Sequence, residues 1–423
     1  MYRAPASVSQ DAAGPTWWPR QNATTTMNER TREYLRGRFG DHYRRVSIEP
    51  PPRANEREWG YIPFSEGGTR MIRHRAWIDL VGGADDLADA LADESVRPQH
   101  VYYSAGSYDD PGAGTMGDKG WRGSDLVFDL DADHLPGVDP GAATYAEMLA
   151  TCKEALQRLL EILKSDFGFT DTYVVFSGGR GYHVHVRRED VQALDRSARG
   201  EIATYVRGAE VAFEELVRTE AVGGEAGRKS PAEKRSLPPE GGWSGRLHDR
   251  LLAFVDEVAG MDDESAIERL REFENVGEKK ARGSLRAMRE NREAIAAGNI
   301  DVHPAFFSVA RTLLSDALAG AGAPIDEPVT TDINRLIRLP GSLHGGSGLA
   351  VTPLDRGEVA AFDPLTDAVP DTFRDNESRV EVTEAGPVEL LGEEFTIEEG
   401  EQRVTEARGV FLMARGRAEK APE

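Results

Sequence analysis

The stretch Ser124-Asp125-Leu126-Val127-Phe128-Asp129-Leu130-Asp131-Ala132-Asp133 decides how this chain is read. On a strand, alternation sends Asp129 and Asp131 to one face and Leu126, Phe128 and Leu130 to the other. The apolar face predicts a strand laid on a core, and the acidic face predicts two carboxylates one strand repeat apart. Carboxylates that close repel, and at neutral pH they are tolerated chiefly where divalent cations neutralise them; hard oxygen ligands suit Mg²⁺ or Mn²⁺. Taken alone, the same residues also fit a strand that runs into a solvated acidic loop.

C-terminal to this strand, Met148, Leu149, Cys152, Leu156, Leu159, Leu160 and Leu163 recur at helical spacing, which predicts a helix over Tyr145–Lys164 packed on a sheet. Thr172–Phe176 and Tyr182–Val186 read as strands around Ser177-Gly178-Gly179-Arg180-Gly181. Glycines there let the backbone approach a ligand, Ser177 and Arg180 supply donors, and His183 and His185 share one strand face. That is a candidate phosphate cradle, although a plain tight turn with two satisfied histidines gives the same pattern. Further on, Arg335–Leu339 and Ala350–Pro353 are strand-like, and Arg338 and His344 can reach anionic oxygens from a strand and the loop after it. Asp326 and Asp332 are two candidates to complete an acidic site, with Asp326 ranked first.

N-terminal to the acidic strand, residues 56–64 and 69–80 read as strands joined by Glu66-Gly67-Gly68, followed by a helix near 84–93 and a strand at Val101–Tyr103. A helix from Asn28 to Tyr43 carries a basic cluster of Arg30, Arg32, Arg36 and Arg38, with Arg44 and Arg45 just beyond. Residues 1–26 lack periodicity and are expected to be disordered, or a non-native extension upstream of Met27. From 188 to 320 the pattern changes to amphipathic helices separated by loops such as Gly223–Gly242, which predicts a helical subdomain between 27–187 and 321–423. The chain is expected to end in a helix over about 399–415.

With 423 residues and 39% hydrophobic content, the chain can bury a large core. No apolar run is long enough for a membrane span, and residues 1–26 lack a signal-peptide core, so a cytoplasmic location is expected. Cys152 is the single cysteine, which leaves no internal disulfide. The formal charge is −22, yet only 8 of the 51 basic residues are lysine. An acidic surface of this kind fits concentrated intracellular salt and neither supports nor excludes a nucleic-acid ligand.

Taken in order, the Asp-Leu-Asp strand, Ser-Gly-Gly-Arg-Gly-Tyr-His-Val-His and Arg-Leu-Ile-Arg-Leu-Pro-Gly-Ser-Leu-His resemble the small catalytic subunit of archaeal and eukaryotic DNA primase. The likeness extends from about Met27 to Arg415 and includes Arg57-Glu58-Trp59-Gly60-Tyr61 and Phe362-Asp363-Pro364-Leu365. It implies an α/β primase fold with an RRM-like catalytic core interrupted by the helical subdomain. It also implies primer synthesis from nucleoside triphosphates on single-stranded DNA, beside a large primase subunit. Under the resemblance, Asp129, Asp131 and Asp326 match the metal-binding acids. Ser177, Arg180, His183, Arg338 and His344 match contacts to the incoming triphosphate, while Glu58 and Arg73 fall where an initiating nucleotide is held. Many archaeal members carry a Cys/His zinc knuckle after the acidic strand; here that interval offers only His134 and Cys152, so no zinc is expected.

Three other readings use part of the same signal. A repair- or plasmid-type primase-polymerase shares the motifs, but the chain shows no fused ligase, nuclease or helicase segment. A metal-dependent glycosyltransferase shares the acid-x-acid strand without needing the His-containing hairpin. A non-catalytic nucleic-acid-binding module would have no need of the acids.

Overall fold

The computed structural model describes residues 27–65, 70–73, 77, 84–222 and 232–422. The segment 1–26 and the turn Glu66-Gly67-Gly68 lie outside the described residues. The strands of the first half are β1 (Arg57–Pro63), β2 (Ile72–Arg73), β3 (Pro98–Tyr108), β4 (Trp121–Ser124), β5 (Leu126–Asp131), β6 (Thr172–Phe176) and β7 (Gly181–Val186). Those that follow are β8 (Arg218–Val222), β9 (Ala232–Ser236), β10 (Leu336–Arg338), β11 (Thr352–Leu354), β12 (Glu377–Val382), β13 (Gly386–Leu390), β14 (Glu393–Ile397), β15 (Gly400–Thr405) and β16 (Ala418–Lys420). The principal helices are α1 (Glu29–Tyr43), α2 (Ala84–Ala92), α3 (Tyr145–Phe167), α4 (Arg196–Arg207), α5 (Gly242–Gly260), α6 (Asp263–Arg271), α7 (Glu278–Glu290), α8 (Pro304–Ala321), α9 (Glu327–Thr331) and α10 (Glu406–Ala414).

This is a mixed α/β architecture in which every described strand pair is antiparallel. One sheet runs β10-β3-β1-β2, with β4 also paired to β3, and a second runs β11-β6-β7-β5. They meet where β4 gives way to β5, and the Asp125 N–H donates to the Ala105 carbonyl 3.0 Å away. β5 obeys its alternation: Leu126, Phe128 and Leu130 are fully buried, whereas Asp129 and Asp131 keep partial exposure.

Helix α3 covers this second sheet because its sequence both starts and aims it. Thr144 caps it by accepting from the Glu147 N–H at 3.2 Å, and the Glu147 carboxylate accepts from the Thr144 N–H at 2.7 Å, a reciprocal capping box. Gly168 ends it with φ +66°, the left-handed conformation that suits glycine. Cys152, Leu156 and Leu159, on the face between, are wholly buried. Asn28 likewise caps α1, accepting from the Thr31 N–H at 2.8 Å, and α1 buries Leu35, Phe39 and Tyr43.

Elsewhere the structure redraws the sequence expectations. β3 extends well past Val101–Tyr103 because its centre is flanked by β1 and β10, which pair with both of its edges. Of the strand expected over 69–80, Ile72–Arg73 is present and most of the remainder lies outside the described residues. The presumed loop from Gly223 ends in β9, which pairs with β8 as an antiparallel ribbon among helices α4–α8. The expected C-terminal helix is shorter, since Gly400–Thr405 pairs along the whole of β12 and α10 begins only at Glu406.

Candidate active site

The two sheets flank a groove of about 1510 Å³, lined by Asp129 and Asp131 of β5, Ser177 and Arg180 of the glycine-rich turn, His183 of β7, Asp326, Arg338 of β10 and His344. Antiparallel register sets Asp129 opposite His183 and Asp131 opposite Gly181. The Asp129 carboxylate lies 3.4 Å from His183 Nε2. Asp326 caps α9, and its backbone N–H donates to the Asp129 carbonyl oxygen at 2.8 Å, which fixes it beside the acidic strand. Asp332 ends the same short helix on another side. Its carboxylate accepts from the Asn334 N–H at 3.0 Å and raises the Tyr108 hydroxyl, and it does not line the groove.

Electrostatics show that the acids converge. Burial, then Asp131 and Asp326, push the Asp129 carboxyl up to about 7, with Arg335 and Arg338 opposing. A divalent cation would relieve that repulsion, so the donor set fits Mg²⁺ or Mn²⁺ in chemistry. Among the described residues no three acid, histidine or cysteine side chains are already gathered into a metal cage. Asp129, Asp131 and Asp326 all line the groove, and a Mg²⁺ held by one or two carboxylates would take its remaining ligands from water and substrate oxygens.

The turn opposite is rigid for identifiable reasons. A Cβ at Gly181 would lie 2.0 Å from the Leu130 carbonyl oxygen, so only glycine lets β7 close against β5, and Gly178 has φ +74°. Ser177 N–H donates to the Gly181 carbonyl at 2.9 Å. The Gly178 and Gly179 carbonyls accept from the hydroxyls of Ser347 and Tyr145. Arg180, at the tip, is ion-paired with Asp133.

Burial holds His183, His344 and His100 well below the ordinary histidine range, and the neighbouring Arg338 charge adds to this in each case. The imidazoles are therefore neutral near pH 7. Arg338 donates through Nη1 to His100 Nδ1 at 2.6 Å and lies over the Tyr102 ring. His100 packs edge-on against His344 with ring centres 4.9 Å apart. Arg338 has no carboxylate within 4.0 Å among the described residues, which leaves its charge available to a ligand.

Glu58 and Arg73 are not part of this groove. Buried Glu58 accepts from Lys119 Nζ at 2.6 Å and pairs with Arg73 across β1 and β2. The sequence reading missed His100, Tyr145 and Arg415, all groove residues. His100 and Tyr145 sit in otherwise apolar stretches, and Arg415 follows the last helix, so no local motif marks them. Deeper, Asp125 anchors a buried polar centre. Burial opposes its charge, but His185, 3.6 Å away, and the Arg57 and Arg187 guanidiniums hold its carboxyl below the usual range. Buried Arg199 clamps the junction of β4 and β5, donating to the Ser124 and Asp125 carbonyls at 2.7 and 2.9 Å.

Known proteins are similar to this chain over nearly its whole length. A family profile described as DNA primase small subunit matches residues 128–356, which contain Asp129, Asp131, Asp326 and the glycine-rich turn. The DNA primase small subunit PriS of Natronomonas pharaonis is 61% identical over 397 residues, covering 94% of this chain and 100% of that protein. Its counterpart in Haloarcula marismortui is 60% identical over 398 residues, with the same coverage of each. That of Methanothrix thermoacetophila is 40% identical over 407 residues, covering 93% of this chain and 100% of its own length. The first two come from halophilic organisms, in keeping with the arginine-rich, acidic composition. Identity at this level over whole chains, joined to the family profile across the groove, shows that the chain belongs to the DNA primase small-subunit family.

Proposed function

We propose that this primase small subunit is the catalytic, cytoplasmic half of a heterodimer with a large primase subunit, extending short primers on single-stranded DNA by nucleotidyl transfer at the groove. One observation carries the reading: three acids from β5 and the cap of α9 meet Arg180, His183, Arg338 and His344, delivered from both sheets, in a single cavity. The 3′-oxygen of one nucleotide bonds to the α-phosphorus of the next, the bond from that phosphorus to the bridging oxygen breaks, and pyrophosphate leaves. Divalent cations held by Asp129, Asp131 and Asp326 would supply charge neutralisation at the attacking and leaving oxygens. Arg338 and Arg180 orient and neutralise the triphosphate, and neutral His183 and His344 donate N–H groups to it. Ser177 adds a hydroxyl donor at the turn. The reading also takes the sheets flanking the groove as an RRM-like core formed by 27–187 and 321–423, with 188–320 as a helical subdomain.

The test separates nucleotide from template. Arg180→Ala, His183→Ala and Arg338→Ala are each expected to raise the nucleotide KM or lower kcat, by about 10- to 100-fold, the effect of losing one charged hydrogen bond. Affinity for a single-stranded oligonucleotide, read by fluorescence anisotropy, is expected to stay near the parent's. Weakened oligonucleotide binding with unchanged nucleotide kinetics in all three would reverse the assignment.

A further inference from the structure

The groove that holds Arg180 is lined as well by Tyr145, Phe411, Arg415 and Arg417. Arg415 follows the last residue of α10, and its guanidinium carbon lies 4.2 Å from the centre of the Tyr145 ring and 5.7 Å from that of Phe411. Tyr145 in turn donates from its hydroxyl to the Gly179 carbonyl at 2.6 Å, so the platform beneath Arg415 is bonded to the turn bearing Arg180. Arg417 is already committed, donating to the Pro387 and Glu384 carbonyls and facing the Glu384 carboxylate at 3.8 Å. Arg415 has no carboxylate within 4.0 Å among the described residues. Burial, with the charges of Arg180 and Arg417, holds its guanidinium below the usual range. Its field also reaches His344 and Asp133.

A cation near the C-terminus of α10 complements the helix dipole wherever its side chain points. That accounts for a positive charge there but not for its position on an aromatic platform beside a second arginine. Among the described residues Arg180 is ion-paired with Asp133, while Arg415, acted on by Glu384 from beyond 4.0 Å, makes no ion pair of its own. Through the hydrogen bond from Tyr145 to the Gly179 carbonyl, the platform holds Arg415 beside the turn whose Arg180 is the proposed triphosphate contact.

We propose that Arg415, set on the Tyr145 ring, binds the terminal phosphate of the incoming nucleoside triphosphate and makes the site prefer triphosphates to diphosphates. This rests on the nucleotidyl-transfer reading above. The planar guanidinium, stacked on the Tyr145 ring and without an ion-pair partner among the described residues, suits two parallel hydrogen bonds to phosphate oxygens. After transfer the same contact holds the outer phosphate of pyrophosphate, delaying its departure.

The test is calorimetric titration of the full chain with ATP and with ADP, each with Mg²⁺ at molar KCl. The parent is expected to bind ATP more tightly than ADP, and Arg415→Gln to lose about 10- to 100-fold in ATP affinity with ADP affinity unchanged. Arg415→Lys keeps the charge and recovers part of the difference, and it serves as the test variant should the glutamine chain fail to fold by circular dichroism. An unchanged ATP-to-ADP ratio in the folded variants, whether or not both affinities fall together, would overturn the proposal. Loss of oligonucleotide binding alone would overturn it in favour of a template contact. Arg180→Ala and Arg338→Ala in the same titrations separate the two levels. If they weaken nucleotide binding while Arg415→Gln does not, only Arg415 is misassigned; if none of the three does, the reading of the whole groove fails with it.

Discussion

Asp129, a proposed metal ligand, carries its charge at a cost in the bare fold. Its carboxyl rises from the ordinary value of 3.8 to about 7 through burial and the charges of Asp131 and Asp326. Between those values the folded chain holds a proton that the unfolded chain has released, so this residue's contribution makes metal-free stability fall as pH rises from about 4 to 7. Asp129→Asn removes that cost. Melted in EDTA across this pH range, the variant is expected to match the parent at low pH and to equal or exceed it at pH 8, while primer synthesis falls by about 100-fold or more. A lower melting temperature than the parent at every pH would contradict the claim that repulsion is stored at this residue. Asp125 behaves oppositely. With its carboxylate wholly buried among Arg57, Arg187 and His185, Asp125→Asn strands buried positive charge and is expected to cost about 3–5 kcal/mol, measured by urea denaturation. Asp129 and Asp131 could be read from the sequence because strand alternation is local. Asp125, a single residue in the same stretch, could not be separated from its neighbours, since its partners come from residues 57, 185 and 187.

At the scale of elements, the turn between β6 and β7 is a tight constraint. Gly181 faces Asp131 across the ladder, and any Cβ there meets the Leu130 carbonyl at 2.0 Å. Gly181→Ala is therefore expected to pry β7 from β5 at a cost of about 3 kcal/mol or more and to abolish nucleotide binding, whereas Gly357→Ala, where a Cβ meets nothing within 4 Å, is expected to keep nucleotide binding. Melting curves with nucleotide titrations check both, and a Gly181→Ala chain as stable and competent as the parent would refute this packing. α3, β6 and β7 were legible because periodicity and glycine placement are written in consecutive residues. The full length of β3, the β8–β9 ribbon and the pairing of β15 with β12 were not, because each depends on a partner distant in the chain. The same limit hid Arg415, which follows α10 yet lines a groove shared with β5, β7 and β10.

The whole molecule must reconcile a charge of −22 with a nucleic-acid template. Much of its arginine is spent on its own acids: Arg38 pairs with Asp41 and Glu406, Arg36 with Glu33, and Arg44 with Asp41, so the basic cluster of α1 is partly neutralised within the fold. Repulsion among exposed carboxylates is screened over about 3 Å at 1 M salt against about 10 Å at 0.1 M. Circular dichroism and primer synthesis are therefore expected to peak near molar KCl; full folding and highest activity at the lowest salt would contradict the halophilic reading. Salt also weakens counterion-release binding, so template engagement at molar KCl is expected to lean on short-range contacts and, under the proposed heterodimer, on the large subunit. The central claim is that Asp129, Asp131 and Asp326 with their facing cations catalyse template-directed nucleotidyl transfer. Its most direct test is pyrophosphate release and primer length measured together, at molar KCl with Mg²⁺ or Mn²⁺, on single-stranded DNA with the large subunit present. The parent is expected to release one pyrophosphate per nucleotide joined, only with template, and Asp131→Asn to release none while binding the same DNA. Undiminished template-dependent release by Asp131→Asn would contradict the account.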